Sequence, residues 1–339
     1  MEEIKTSRVK GRLDLDEYFH KRLDRDWEDL EELESAGIIE TETSGRSDKF
    51  WILSEEGERI ALFKITNWKS DEDYAELLGE EIAKALNMET AHYDLAKFSL
   101  NKGVISYNFL EPYETLYAGT DIIFDFYEEK LEDNEELQAL YGLSSDDTID
   151  DACTKLNNLE DLWSILEDKY KNDYNKSYII KRIMDGLIDK LIFDILTVNV
   201  DDHVENWAIK GGRQGKELTP VYDHGRILNL HMNVAVENSL GRGDLTKKEL
   251  LLKVDNSNTK KPLEVLDKFL HISSSEYVDY VKDKVELLQE RVELIPKIVE
   301  ERTCYPMSDY IKNYFVTSCF NHLNEVSEVV NKYDRKHTK

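Results

Sequence analysis

The sequence runs to 339 residues, with 71 acidic against 44 basic side chains, a formal net charge of -27, and 40% hydrophobic residues. That is enough for a two-lobed unit with a sizeable core, and 15 Gly and 5 Pro leave no low-complexity tract. The acidity repels phosphate backbones and anionic membranes, which argues against direct nucleic-acid or membrane binding, and no apolar run approaches the roughly 20 residues of a bilayer span. The opening residues lack the apolar core of a signal peptide, so a cytoplasmic protein is expected. Cys153, Cys304 and Cys319 are widely spaced and form no Cys/His cluster, so three buried thiols and no structural zinc are expected.

The first forty residues place Leu23, Trp27, Leu30 and Leu33 at helical spacing ahead of Gly37, which predicts one amphipathic helix. Residues 49–54 and 59–65 then read as strands separated by Glu55-Glu56-Gly57. From Tyr74 to Met88, Leu77, Leu78, Ile82 and Leu86 share one helical face, and 93–100 with 104–109 read as a second strand pair around Asn101-Lys102-Gly103. Hairpin, helix and hairpin make a small α+β lobe. Beyond Pro112 the pattern turns to long helices: 177–196, one opening on a Ser273-x-x-Glu276 capping box and ending at Pro296, and 308–333. The acidic, turn-rich stretch 131–151 reads as a mobile surface insertion. The expected organisation is a helical extension (1–42), a small lobe (43–112) and a large, mainly helical lobe (113–339).

The chemistry concentrates in Asn199-Val-Asp-Asp-His-Val-Glu-Asn-Trp207 and Thr219-Pro-Val-Tyr-Asp-His-Gly225. Phosphoryl transfer to a hydroxyl needs a carboxylate to orient the acceptor and take its proton, and oxygen ligands to hold magnesium against the nucleotide phosphates. In protein kinases an Asp and an Asn five positions later, followed by an Asp on the next segment, meet that need. Asp201 and Asn206 have the spacing, with Asp223 following a hairpin-like stretch; Asp202 misses it and is read as a supporting carboxylate. Asp201 is the candidate base, and Asn206 and Asp223 are the candidate metal ligands. His203 has no second ligand at zinc spacing and is expected to brace this catalytic loop by hydrogen bonds.

Asp201-x-His203-x-x-Asn206 and Pro220-x-Tyr222-Asp223 resemble the catalytic loop and metal-binding segment of the HipA family of bacterial serine/threonine kinases. The resemblance implies a bilobal protein-kinase-like fold, ATP and Mg2+ as cofactors, and a catalytic centre that includes His203. It makes Lys64 the phosphate-binding lysine and Glu76 its helix-borne partner, with Glu80 and Glu81 as rivals. It places a phosphate-covering loop at 43–49, with Ser44 and Gly45 against the nucleotide and an autophosphorylation acceptor among Thr43, Ser44 and Ser47. Adenine would lie near Phe109 to Glu111. A protein substrate such as an aminoacyl-tRNA synthetase or another translation factor, a toxin-like role and an antitoxin partner are further implications.

Two departures stand out. Full-length HipA proteins carry an N-terminal β-rich subdomain, where this chain has about forty residues of helical pattern, so a short form is implied and the antitoxin contact is put in question. The metal segment continues as Asp223-His-Gly-Arg226, unlike the commoner family ending. The rival readings are a small-molecule kinase, a phosphoinositide kinase and a pseudokinase that keeps the fold without turnover.

Overall fold

In the computed structural model, residues 4, 8–26, 28–42, 48–201, 203–213, 215–232, 245–257 and 259–337 are described. The N-terminal lobe comprises β1 (Arg8–Val9), β2 (Arg12–Asp14), α1 (Leu15–Leu23), α2 (Leu30–Ser35), β3 (Ile39–Glu42), β4 (Lys49–Leu53), β5 (Arg59–Ile65), α3 (Glu72–Ala85), β6 (Tyr93–Phe98) and β7 (Asn101–Tyr107). Its strands form one seven-stranded sheet in the order β1-β2-β6-β7-β5-β4-β3, with β2 and β6 parallel and the other neighbours antiparallel. The period of two along β4 and β5 buries Phe50, Ile52, Ala61 and Phe63 on one face, where Phe50 meets Phe63 and Phe98 at ring-centroid distances of 5.3 and 5.1 Å. Lys64, next to Phe63, is thereby directed to the opposite face.

The expected N-terminal helix is two short ones. Asp24 ends α1 in the left-handed conformation (φ 53°), and Asp29 starts α2 by accepting a hydrogen bond from Glu32 N (3.0 Å). Leu15, Phe19 and Leu33 are the buried residues, whereas Leu30 is exposed. These residues share one apolar cluster with Ile39, Phe50 and Phe63, and β2 and β3 belong to the sheet. Residues 8–42 are therefore part of the small lobe, not a separate helical extension. The hairpin signal was hidden because β1 and β2 are only two and three residues long.

The second part of the chain contains β8 (Thr115–Ala118), α4 (Gly119–Phe126), α5 (Glu135–Leu140), α6 (Ile149–Lys155), α7 (Leu159–Lys169), α8 (Lys176–Thr197), β9 (Ala208–Gly212), β10 (Gly215–Leu218), α9 (Pro262–Ile272), α10 (Ser275–Arg291), α11 (Ile295–Thr303) and α12 (Asp309–His337). Strands β10-β9-β8 make a small antiparallel sheet. α8 buries Ile183, Leu187, Leu191 and Ile195 against a core shared with Trp207 and α9–α12.

Three expectations change here. The stretch 131–151 is ordered: Asn134 caps α5, Thr148 and Asp151 form a capping box for α6, and Leu131, Gln138 and Leu143 are buried. The Ser273 capping box does not form, because α10 starts after Ser274 without a side-chain cap; Pro296 instead sits in the first turn of α11. Cys153 and Cys319 are buried, but Cys304 is exposed where it terminates α11 in the left-handed conformation. Among the described residues no helix is long and apolar enough to cross a membrane.

Candidate active site

Lys64, at the cleft face of β5, is surrounded by carboxylates. Its Nζ lies 2.9 Å from Asp223 Oδ1, 3.2 Å from Glu72 Oε1 and 3.3 Å from Glu76 Oε1. Burial works against the ammonium charge, yet Asp223, Glu76 and Glu72 together raise the lysine well above its ordinary range. Burial pushes Glu76 up to about 8 despite the pull of Lys64. Asp223 goes the other way: Lys64 outweighs its burial and holds it down at about 2. The two carboxyls are thus pushed in opposite directions, as expected when carboxyl groups compete for one cation.

The Glu80 and Glu81 alternatives are resolved by helix geometry. One turn beyond Glu76, Glu80 is fully buried among His92 Nδ1 (2.7 Å), Lys84 Nζ (2.7 Å) and Arg302 Nη1 (2.8 Å), and Glu81 pairs with Lys84 and Arg302. Both belong to the contact between α3 and α11, and Glu76 is the residue that meets Lys64. Glu72, which shares the α3 face one turn earlier, was not anticipated; its i, i+4 spacing from Glu76 was the available signal.

The metal segment is docked directly on α3. Glu76 Oε2 accepts from His224 N (2.6 Å), and a Cβ at Gly79 would lie 2.3 Å from His224 Cβ, so only glycine lets the two backbones approach this closely. Asp223 adopts φ +59° with its N–H donating to Tyr93 Oη (2.9 Å). The aspartate side chain tolerates the left-handed region better than most. Burial lowers His224 to about 3; its Nε2 is 3.1 Å from Thr90 Oγ1, and its buried Nδ1 has no partner among the described residues.

The candidate catalytic loop follows α8, which ends with Val198 in the left-handed conformation (φ 49°), an unusual place for a β-branched residue. Beneath it lies a buried chain of contacts: Lys190 Nζ donates to Asp194 Oδ2 (2.6 Å), and Asn199 Nδ2 donates to Asp194 Oδ1 (3.0 Å). Asn199 Oδ1 accepts from Asp201 N (3.4 Å). Asn206 Nδ2 donates to the carbonyl of Asp201, which leaves Oδ1 as its remaining ligand atom. His203 caps the short turn Val204–Asn206, its Nδ1 accepting from Glu205 N (3.3 Å), while its Nε2 is 3.8 Å from Asp201 Oδ1. Arg226, also unanticipated as a site residue, places Nε 3.0 Å from Asp201 Oδ2.

Phe109 reaches the metal segment by stacking on Tyr222 (centroids 5.9 Å apart). Glu111 is exposed and its N–H is taken by Glu114 Oε2 (3.0 Å), so nothing described joins it to the cluster. Ser44 and Gly45, with Thr43 and Ser47, lie outside the described residues, as does Asp202.

A Helicobacter pylori proinflammatory kinase, CtkA, has a crystal structure that superposes with a TM-score of 0.58 at 14% identity, covering 87% of this chain and 96% of that one. The chain has a kinase-like fold. The HipA of Shewanella oneidensis MR-1, solved in a toxin–antitoxin complex with HipB and operator DNA, matches at 16% identity over 93% of this chain and 72% of its own, with a TM-score of 0.48. No protein-family model and no curated relative matches the sequence. The bilobal architecture expected from the HipA-like motifs is thus the architecture of this chain.

Proposed function

We propose that the chain is an ATP- and Mg2+-dependent protein kinase of the HipA-like type, transferring the γ-phosphoryl group to a serine or threonine hydroxyl. The observation that carries this reading is the meeting of Lys64, Glu76 and Asp223 in one charge cluster, with Arg226 on the same segment as Asp223 paired to Asp201. These residues come from four separate stretches of sequence, and a solvated loop has no need of such a buried charge cluster.

The donor set fits magnesium. Asp223 and Asn206 offer hard oxygen ligands, and the three carboxylates facing Lys64 leave surplus negative charge that a dication would offset. When bound, the ion would supply charge neutralisation at the nucleotide phosphates. Lys64, held upright by Glu76, would pair with the phosphates, and Phe109 would lie beside the adenine. Asp201 would orient the acceptor hydroxyl: the acceptor oxygen bonds to the γ-phosphorus, the bond from that phosphorus to the bridging oxygen breaks, the hydroxyl proton passes to Asp201, and ADP leaves. A phosphate-covering loop at 43–49, autophosphorylation of Thr43, Ser44 or Ser47, and a toxin-like role acting on a translation factor such as an aminoacyl-tRNA synthetase, with an antitoxin partner, belong to the same reading.

The test is incubation with labelled ATP and magnesium, with ADP release measured and phosphosites mapped on the enzyme and on a host lysate. Asp201→Asn should cut turnover by about 1,000-fold or more while nucleotide affinity stays within a few-fold, because the base acts on the acceptor and not on ATP. Absence of magnesium-dependent turnover in the unmodified chain would favour the pseudokinase reading; phosphorylated lipid or small molecules without phosphoprotein would reassign the acceptor.

A further inference from the structure

Asp201 and Asp223 are anchored very differently. Asp223 lies on a segment fixed to the helix α3 by the His224 N–H to Glu76 bond and by Gly225, whose missing Cβ would sit 2.9 Å from Glu72 Cγ. Downstream, Ile227, Leu228 and Asn229 are fully buried, so the backbone on both sides of Arg226 is immobilised. Asp201 has no such packing: its side chain is 25% exposed, its N–H bond to Asn199 is long at 3.4 Å, and His203 at 3.8 Å is beyond hydrogen-bond reach. The short contact on its carboxylate is Arg226 Nε, 3.0 Å from Oδ2.

We propose that Arg226 is a positioning residue that ties the catalytic carboxylate to the metal-binding segment, holding Oδ2 so that Oδ1 of Asp201 is the oxygen presented to the acceptor hydroxyl. The inference rests on the kinase reading above and adds to it a residue that the motif comparison does not supply, since this chain's Asp223-His-Gly-Arg226 departs from the commoner family ending. A carboxylate with one oxygen pinned to a rigid cation has a defined in-plane orientation, whereas an untethered one samples several rotamers, and reaction rates respond to misplacements of about 1 Å by about 100-fold. Both side chains are partly exposed, so the pair contributes little to folding and its removal should leave a folded protein.

The experiment measures magnesium–ATP turnover, ATP KM and thermal midpoint for the wild-type chain, Arg226→Ala, Arg226→Lys, Asp201→Asn and the Asp201→Asn/Arg226→Ala pair. Arg226→Ala should lower kcat by about 100-fold with the KM for ATP and the midpoint unchanged. Added guanidinium should restore part of that loss, and Arg226→Lys should fall between, because an ammonium supplies the charge without the planar fork. On the Asp201→Asn background the arginine should have nothing left to position, so Arg226→Ala should cost no further activity. An equal loss on both backgrounds, a rise in kcat that would mark the pair as an inhibitory latch, or a change confined to KM would each overturn the proposal. If Asp201→Asn turns over like wild type, the kinase assignment of Asp201 falls and this inference with it; if Asp201→Asn is inactive and Arg226→Ala is fully active, only the role of Arg226 falls.

Discussion

Helix α3 and the loop after α8 both contribute to the cluster that runs from Lys64 through Asp223 and Arg226 to Asp201, but are held by different means. Every turn of α3 is tied by charge: Asp73 to Arg12 and Lys102, Glu72 and Glu76 to Lys64, and Glu80 to Lys84, His92 and Arg302, while Lys284 donates to the Leu86 carbonyl just past its end. Its partners come from β2, β5, β7, α10 and α11, so strands of one lobe and helices of the other fix it together. The loop between Val198 and Trp207 is anchored by its buried residues Asn199, Val204, Asn206 and Trp207, with Tyr222 Oη donating to the Glu205 carbonyl and Trp207 Nε1 to Asn157 Oδ1, but the carboxylate of Asp201 within it has one partly exposed ion pair as its short contact. On the reading proposed above, the groups that would face the phosphates are held from several sides, and the carboxylate that would face the acceptor is held by a single partly exposed pair.

The strongest way to break this contrast is to remove the cation at its centre. Lys64→Met leaves Glu72, Glu76 and Asp223 facing an apolar side chain, and stranded charge of this kind costs about 3–5 kcal/mol. Turnover should fall by about 100-fold or more, and magnesium should raise the melting temperature of the variant more than that of wild type, because the ion replaces the missing charge. Glu76→Gln should also lower turnover, and the double variant should be little worse than either single one. Equal magnesium shifts in Lys64→Met and wild type would show that the carboxylates do not act as one cluster.

Gly79→Ala probes the docking of the metal segment without touching a charge. The added methyl would lie 2.3 Å from His224 Cβ inside a packed helix, so either α3 or the segment must move. Overpacking of this kind costs about 1–3 kcal/mol, and the displacement should weaken magnesium-dependent nucleotide binding as well as stability. Nucleotide titration against an unfolding curve separates the two effects; a variant that is less stable yet binds normally would mean that the His224 contact only supports the fold.

Glu80 tests the far end of the helix through pH. Although burial alone would raise it, His92, Arg302 and Lys84 hold its carboxyl down at about 2, against 4.5 for an ordinary glutamate. A group depressed in the folded state stabilises it above the unfolded value and loses that contribution as pH falls from about 4.5 through about 2, which amounts to about 3 kcal/mol at neutral pH. Glu80→Gln should therefore be destabilised against wild type at pH 7, with the gap closing towards pH 2. A gap that stays constant with pH would trace the effect to packing, not charge.

The same contrast explains what could be read from the sequence. The β4–β5 and β6–β7 hairpins, α3, α8 and α12 were legible because each carries a full period-2 or period-3.6 pattern; Asp201, Asn206 and Asp223 stood out by their spacing and Lys64 by the HipA-like resemblance, and the structure brings Lys64 to Asp223 and, through Arg226, Asp201 to the same segment. The N-terminal strands were not, since two- and three-residue strands have no period. Nor was the ordering of 131–151, which depends on the caps Asn134 and Thr148 and on buried Leu131 and Leu143, not on a continuous apolar stripe. Arg226 and Glu72 were missed for a different reason: each is a common surface residue type whose role depends on a partner far away in sequence, 25 residues in the first case and eight in the second. Glu76 could be singled out from Glu80 and Glu81 only once the helix was seen to present one turn to Lys64 and the next to Arg302.

The smallest expected effect separates two roles for His203 beside the partly exposed carboxylate of Asp201. Its Nδ1 caps the turn Val204–Asn206 by accepting from Glu205 N, and its Nε2 stands 3.8 Å from Asp201, too far for a shared proton. Asparagine is among the best capping residues, so His203→Asn should keep the turn, and with it the amide of Asn206 against the Asp201 carbonyl. Turnover should then remain within about 10-fold of wild type, and His203→Ala should fall lower, by the equivalent of a lost cap at about 1 kcal/mol in loop order. The ranking is the informative part: a histidine that moves protons cannot be replaced by asparagine, whereas one that only braces the loop can. If both variants lose activity to the same large extent as Asp201→Asn, His203 takes part in the chemistry itself, and the acceptor side of the site is less adaptable than its contacts imply.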